Sequence, residues 1–214
     1  MDDISGVFNE ISNLLQKGRA KETAEAVEKA LGAGAAPVEI LEKGLISGMN
    51  VIGSKFASGD IYVPEMLIAA RAMNHASAVL KPALAEAGIE PVGKAVICTV
   101  KGDLHDIGKN LVKMMIEGKG IEVIDLGVDC SSEKIVETVK DTSAKVVCLS
   151  ALLTTTMPAQ KEVIDAFKAA GIRDQVKVMV GGAPVTQKFA DEIGADAYSP
   201  DAATAADVCR AFYG

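Results

Sequence analysis

The feature that most constrains this chain is a change of hydrophobic period close to residue 90. Before it, apolar residues recur at three- and four-residue steps. Ile4, Val7, Phe8, Ile11, Leu14 and Leu15 fall on one helical stripe, which Lys17-Gly18 ends. Ala20, Ala24, Val27, Ala30 and Leu31 repeat the pattern as far as Gly32-Ala33-Gly34. Pro37 suits a first helical turn, followed by Val38, Leu41, Leu45, Met49 and Ile52 on one face. Ser58-Gly59-Asp60 interrupts, and Pro64-Glu65 open a fourth helix that runs through Ala69, Met73 and Ala76 to about Leu80. Short loops between four such helices predict a four-helix bundle over residues 1–89. After a linker at 88–93 the pattern becomes short β-branched runs at 95–100, 121–126, 145–149 and 177–180, apolar enough to be buried on both faces. Amphipathic helices fall between them near 107–119, 132–142, 157–171 and 185–194. A short fifth strand at Ala197-Tyr198 and a last helix over 201–212 complete the series. Alternating β and α predicts a flavodoxin-like (Rossmann-like) parallel five-stranded domain over 90–214, with right-handed crossovers.

Charge and cysteine usage exclude several function classes. Over 214 residues, 29 acidic side chains outnumber 22 basic ones, giving a net charge of -7. That is the wrong sign for a nucleic-acid footprint. No apolar run approaches the roughly 18 residues of a membrane span. The opening MDDISGVFNE lacks the basic-then-apolar layout of a signal peptide, so a soluble, cytoplasmic protein is expected. Cys98, Cys130, Cys148 and Cys209 form no CxxC pair and fit no zinc spacing. Cys98 and Cys148 lie in strand-like runs and read as small core residues, whereas Cys130 reads as loop-exposed. Met49, Met66, Met73, Met114, Met115 and Met179 read as core filler, and His75 as an ordinary helix residue.

In a doubly wound sheet, ligands bind beyond the carboxyl ends of the strands. After strand one stands Lys101-Gly102-Asp103-Leu104-His105-Asp106-Ile107-Gly108; after strand three, Ser150-Ala151-Leu152-Leu153-Thr154-Thr155-Thr156; after strand four, Gly181-Gly182-Ala183-Pro184. His105 is one of only two histidines and lies two residues from a carboxylate. A metal-binding imidazole commonly passes its other N–H to such a group, which Asp103 would supply, with Ser150 hydrogen-bonding Asp103 in turn. The chain has no GxSxG elbow for a serine hydrolase and no second or third ligand at helical spacing for a protein-built metal site. One imidazole suffices for a metal that brings most of its own coordination, as in a macrocyclic cofactor.

Asp103-x-His105-x-x-Gly108, then Ser150-x-Leu152, then Gly181-Gly182, resembles the cobalamin-binding signature of corrinoid proteins. That family includes the B12 domain of cobalamin-dependent methionine synthase and the small methyl carriers of methylotrophic archaea and acetogens. The resemblance to the carriers extends over the helical segment, through Glu42-Lys43-Gly44-Leu45 and Tyr62-Val63-Pro64-Glu65, and on to Gly194-Ala195-Asp196-Ala197-Tyr198. The 150–158 tract is similar to that of methylamine-type carriers.

The resemblance implies a cobalamin or related corrinoid cofactor (methylcobalamin in its loaded form), with His105 as lower axial cobalt ligand. Asp103 and Ser150 would tune that imidazole, proton uptake easing its release and proton loss favouring ligation. The displaced nucleotide tail would thread between the third and fourth loops. Gly181, Gly182 and Ala183 would admit it, with Leu152, Thr154 and Thr155 beside it. Asp106, Ile107 and Gly108 would line the approach, Asp106 capping the next helix. The helical domain would cap the upper face through Ile61, Tyr62, Val63 and Met66, moving away on the 88–93 linker. Implied partners are a substrate:corrinoid methyltransferase, a corrinoid:tetrahydrofolate or corrinoid:coenzyme M methyltransferase, and a reductive activating protein, with a methylated or quaternary amine as donor. Competing readings are the B12 subunit of an adenosylcobalamin-dependent mutase, which would not need the helical module, and a B12-based light sensor, which would need a basic DNA-binding segment. A receiver domain would need an aspartate at the end of strand three and a lysine after strand five, where this chain has Ser150 and Tyr198-Ser199-Pro200.

Overall fold

A computed structural model describes residues 4–214, with side chains from residue 6 onward; the side chain of Ile4, counted in the first stripe, lies outside the described residues. Contacts divide the chain into two compact units, Met1–Glu90 and Pro91–Gly214.

In the first unit, α1 (Ile4–Gln16) buries Phe8, Ile11 and Leu15, and α2 (Ala20–Gly32) buries Thr23, Val27 and Ala30. The third helix of the sequence reading is a continuous helical run of three parts: α3 (Pro37–Glu39), a π-helical stretch Ile40–Ile46, and α4 (Ser47–Ser58). The wider turn moves the buried face. Ile40 and Leu45, five residues apart, are both fully buried, while Val38 and Leu41 are only half-buried. Gly44 and Gly48 let this run approach α1 closely: a Cβ would stand 3.0 Å from Ile11 at Gly44 and 3.1 Å from Leu15 at Gly48.

The fourth helix, α5 (Val63–Glu86), starts with the Tyr62 amide on Glu65 Oε2 at 3.1 Å. It runs past Leu80, where the sequence reading ended it, and through Pro82. Pro82 sits near the carboxyl end, so the ring interrupts only the last turns. The linker is correspondingly shorter than expected. Ile89 N still bonds Leu84 O at 2.9 Å, and Val92 N already bonds Gly120 O at 3.0 Å. Gly93 is pinned as well, since a Cβ there would lie 2.0 Å from the Tyr213 ring.

In the second unit, β1 (Lys94–Thr99), β2 (Glu122–Asp125), β3 (Val146–Ser150), β4 (Lys177–Gly181) and β5 (Ala197–Tyr198) form one parallel sheet in the order β2-β1-β3-β4-β5. This is the flavodoxin-like order, with its switch point between β1 and β3. The intervening helices are α6 (Ile107–Glu117), α7 (Ser132–Thr142), α8 (Met157–Ala169), α9 (Gln187–Ile193) and, at the end, α10 (Ala202–Ala211). Side chains alternate along each strand. Val96, Cys98, Val147, Leu149, Val178 and Val180 join Ile135, Val139, Val163, Ile164 and Phe167 in one core. Ile97, Cys148 and Met179 are buried as well. Each large side chain sealed in this way contributes roughly 1.5–3 kcal/mol.

Candidate functional site

Register sets the level at which the loops leave the sheet. Thr99, Ser150 and Gly181 lie side by side in one row at the carboxyl edge of β1, β3 and β4. The loops after β1 and β3 meet at Asp103, which is completely buried. Its Oδ1 accepts from the His105 amide at 3.1 Å and faces His105 Nδ1 at 2.7 Å. Its Oδ2 accepts from Leu152 N at 2.7 Å, Leu153 N at 3.4 Å and Thr156 Oγ1 at 2.7 Å. Burial alone would raise this carboxyl. The bonds from Thr156, the His105 and Leu152 amides and the imidazole overcome it, holding the group well below the ordinary 3.8.

A carboxylate can only accept, so His105 Nδ1 carries the proton in this pair and the lone pair of the neutral ring lies on Nε2. The His105 side chain is 51% exposed while Asp103 is sealed beneath it. The His105 carbonyl is fixed as well, accepting from Thr99 Oγ1 at 2.7 Å. The loop after β2 braces the same corner: Asp129 N donates to Asp103 O at 3.0 Å, and Asp129 Oδ1 accepts from Gly102 N at 2.8 Å. Amide, carbonyl and Nδ1 together preorganise one imidazole with its other nitrogen outward.

The partner expected from Ser150 comes from Thr156 instead. Ser150 occupies its place in the strand row, and the hydroxyl that bonds Asp103 is that of Thr156. The turn that closes with Thr156 N on Leu153 O at 3.0 Å carries the Thr156 hydroxyl back to the carboxylate. Asp106 stands at the N-cap position of α6, but its side chain does not cap; it accepts from Asn110 Nδ2 at 3.1 Å. Cys130, expected at the surface, is 1% exposed. An isolated bridge pairs it with Val100, and its thiol donates to Leu126 O at 3.3 Å. Cys98 and Cys148 are buried, as their strand positions require.

Sequence reasoning passed over Thr99, Asp129, Thr156 and one ion pair. Lys109, a turn beyond His105 and only 3% exposed, places Nζ 2.7 and 2.8 Å from the two Asp125 oxygens at the end of β2. Burial raises the Asp125 carboxyl, and the Lys109 bond, the Gly127 amide and the charges of Lys109 and Lys113 together outweigh it, so the group is lowered. The pair clamps the start of α6 to the sheet. A cationic residue in the first turn of an amphipathic helix, facing an Asp-Leu-Gly strand end, is the signal that would have found it.

Around the imidazole the surface is apolar: Leu104 is 72% and Ile107 79% exposed, and Leu152 and Leu153 are also exposed. Gly108, Thr154 and Thr155 are exposed, Gly181 and Gly182 half-buried, and Ala183 exposed. Gly182 has φ 129°, and a Cβ there would stand 1.8 Å from Ala151 O, so only glycine fits where the third and fourth loops touch. Beside them, Gln160 Oε1 and Ser199 Oγ are buried with no hydrogen-bond partner. A shallow cavity of about 360 Å³ lined by Val139, Lys140 and Val176 opens at the other edge of the sheet and takes no part in this arrangement. On the helical unit, Tyr62 and Val63 are exposed as anticipated, along with Leu67 and Ile68. Met66 is completely buried in that unit's core and shields nothing outside it.

Among the described residues no three His, Cys, Asp or Glu side chains gather to hold a metal ion. The chemistry offered is one oriented imidazole, an apolar apron and a glycine-lined contact between loops. That donor set fits a metal carried in a macrocycle with a long polar appendage.

Comparison with known proteins agrees. Residues 93–207 match the family model described as B12 binding domain, and residues 7–81 match a second model of the same description. The chain is 42% identical over 205 residues to dimethylamine corrinoid protein 3 of Methanosarcina acetivorans, covering 96% of each. It is 46% identical over 180 residues to the trimethylamine corrinoid protein of Methanosarcina barkeri, covering 83% of each. Among solved structures, the methanol:cobalamin methyltransferase complex MtaBC of Methanosarcina barkeri matches with a TM-score of 0.88 and 29% identity, over 97% of this chain and 80% of that one.

Proposed function

The chain belongs to the B12-binding corrinoid protein family, and on that premise we propose that it carries a methyl group between two methyltransferases. The observation that carries the reading is His105: half-exposed at the switch point of the sheet, Nδ1 bound by a buried carboxylate, Nε2 outward. His105 would hold the cofactor's metal through Nε2. When bound, the corrinoid supplies a metal centre that takes up a methyl group and gives it away. Asp103 and Thr156 orient the imidazole and keep its lone pair on Nε2. Protonation of that nitrogen would weaken the hold, and its loss would restore it. Leu104, Ile107, Leu152 and Leu153 would meet the apolar face of the macrocycle, and Gly181 and Gly182 would let its tail pass close to the backbone. Thr154, Thr155 and Ala183 would stand along that path.

The unit from Met1 to Glu90 would act as a cap, with Tyr62, Val63, Leu67 and Ile68 as its exposed apolar residues. The relatives are matched across this helical unit as well as the sheet, which counts against the mutase-subunit reading. The partner that loads the methyl group is a substrate:corrinoid methyltransferase; an N-methyl amine as donor is supported by the dimethylamine and trimethylamine relatives. A second methyltransferase, acting on tetrahydrofolate or a thiol such as coenzyme M, would unload it, and a reductive activating protein would rescue the oxidised cofactor. Four free thiols suit the cytoplasm; among the described residues no helix is long and apolar enough to cross a membrane.

The test is anaerobic reconstitution with hydroxocobalamin, then desalting, cobalt quantification and a visible spectrum, in parallel on His105→Ala. Near-stoichiometric cobalt with an imidazole-ligated spectrum, lost in the variant, is the expected result. Folded wild-type protein that retains no cobalt would end the carrier reading.

A further inference from the structure

Cys98 and Cys130 come together where the regular pairing of β1 with β2 ends. The register Ile97 to Asp125 puts Leu126 level with Cys98, and Leu126 N donates to Ile97 O at 3.0 Å. Beyond it the chain bulges. Thr99 N donates to Gly127 O at 3.0 Å, while Cys130 N donates to Thr99 O at 3.1 Å. Val128 and Asp129 are the extra residues, Asp129 with φ 51°. The isolated bridge of Cys130 with Val100 closes the bulge and sets Cys130 on the face that Val100 and Cys98 share, in one core. Its side chain folds back along the loop, with Sγ 3.3 Å from Leu126 O and 3.5 Å from Val128 O. That places it against Cys98, whose thiol hydrogen-bonds it.

The surroundings of the two thiols differ. Lys134 Nζ donates to the same Leu126 carbonyl at 3.3 Å, so an ammonium stands beside the Cys130 sulfur. The bond from Cys98 and the Lys134 charge lower the Cys130 thiol from its ordinary 9.0, against burial and the Asp125 and Asp129 charges. The thiolate is the attacking form of sulfur. Cys98 is raised by the same bond and by burial, and stays a thiol. Cys130 also belongs to a loop, next to exposed Asp129, and can meet a small oxidant by local opening while the sheet stays intact. The other pair lacks these features. Cys148 contacts Cys209 but lies inside β3, and Cys209 lies inside α10; the Cys209 bond and burial raise Cys148.

We propose that Cys98 and Cys130 are a redox-active dithiol that hydrogen peroxide converts to a disulfide. The Cys130 thiolate attacks the peroxide and keeps one oxygen as a sulfenic acid, while the other leaves as hydroxide. The Cys98 sulfur then attacks the sulfenic sulfur, the S–S bond forms, and the hydroxyl departs as water with the Cys98 proton. Two thiols and one hydrogen peroxide thus give one disulfide and two waters. The bond would form directly behind two residues that brace the imidazole loop, since Cys98 precedes Thr99 and Cys130 follows Asp129.

The test uses the reduced, cofactor-free full chain, so that no corrinoid consumes the oxidant. Protein treated anaerobically with a small excess of hydrogen peroxide is quenched into denaturant with iodoacetamide, then analysed intact and as peptides. Free thiols should fall by half, from the four of the reduced chain. The peptide map should join Cys98 to Cys130 and leave Cys148 and Cys209 alkylated, and dithiothreitol should reverse the change. Cys130 should be oxidised at least about tenfold faster than Cys148. Cys98→Ala should stop at a Cys130 sulfenic acid that dimedone captures, and Cys130→Ala should leave Cys98 reduced over the same interval. The wild-type map carries the test alone if either variant folds poorly. A wild-type chain that keeps all its thiols, that oxidises Cys148 and Cys209 as fast, or that cross-links only between molecules overturns the assignment. So does a Cys130 that proceeds to the sulfinic acid while Cys98 stays intact.

Discussion

At the scale of single residues, Asp103 is the group on which most depends. It accepts five contacts, from the ring and amide of His105, the Leu152 and Leu153 amides and the Thr156 hydroxyl. An asparagine has one acceptor oxygen, and its NH₂ would confront donors on the other side. Asp103→Asn should destabilise the fold by about 2–4 kcal/mol at pH 7, since bonds to a buried charge are worth more than neutral ones. The pH dependence has a definite sign. The native carboxyl is held below its ordinary value of 3.8, so its contribution is present above that value and fades as pH falls through the native one. Urea unfolding of both proteins from pH 7 to pH 3 should show the gap constant down to about pH 5 and narrowing below it. Glycines give a second contrast. Gly182→Ala sets a Cβ 1.8 Å from Ala151 O at positive φ and should cost about 2–4 kcal/mol. Gly108→Ala, in the first turn of α6 with nothing within 4 Å, should stabilise by roughly 0.5–1 kcal/mol. Equal effects of the two in thermal melts would contradict the close contact between the third and fourth loops.

At the scale of elements, the sheet was legible because parallel strands buried on both faces have to be continuous apolar runs, and each run announced itself between helices. Loops that leave such strands at one level converge whatever their sequence, so Asp103, His105 and Gly182 were found by position as much as by type. What was illegible depends on local turns. A serine at a strand end looks like the nearest hydroxyl, yet register holds Ser150 in the row with Thr99 and Gly181, while a tight turn returns Thr156. The π stretch Ile40–Ile46 was hidden because a five-residue step between Ile40 and Leu45 mimics no regular period. Lys109, which the sequence reading passed over, is the bolt between α6 and β2. Lys109→Met strands the Asp125 carboxylate with Lys113 at 3.4 Å as its remaining ion partner. The loss should be about 2–3 kcal/mol, below the usual cost of breaking a buried pair because Asp125 keeps some exposure and that second lysine. Lys109→Met/Asp125→Leu should recover part of it; a double variant no better than the single would deny the pairing.

At the scale of the molecule, the two units have separate cores, and the loops that would bind the cofactor all belong to Pro91–Gly214. A ligand that binds only the folded form stabilises that form by mass action, by about 2.7 kcal/mol at a hundred times its dissociation constant. For a unit of this length the gain should raise the melting temperature by roughly 10 °C. Hydrogen exchange locates it. On loading with hydroxocobalamin, protection should rise most at the amides of Asp103, His105, Asp129 and Leu152, because their partners surround the imidazole. His105→Ala should keep part of the thermal gain through the tail and lose the protection centred on Asp103. The helical unit supplies the decisive contrast. If it serves as a cap, the segment 62–68 gains protection on loading even though none of the loops at the sheet edge lies in it. If exchange there is unchanged in a fully loaded sample, Tyr62, Val63, Leu67 and Ile68 do not cover the cofactor, and their exposed apolar surface has to be assigned to a methyltransferase partner instead.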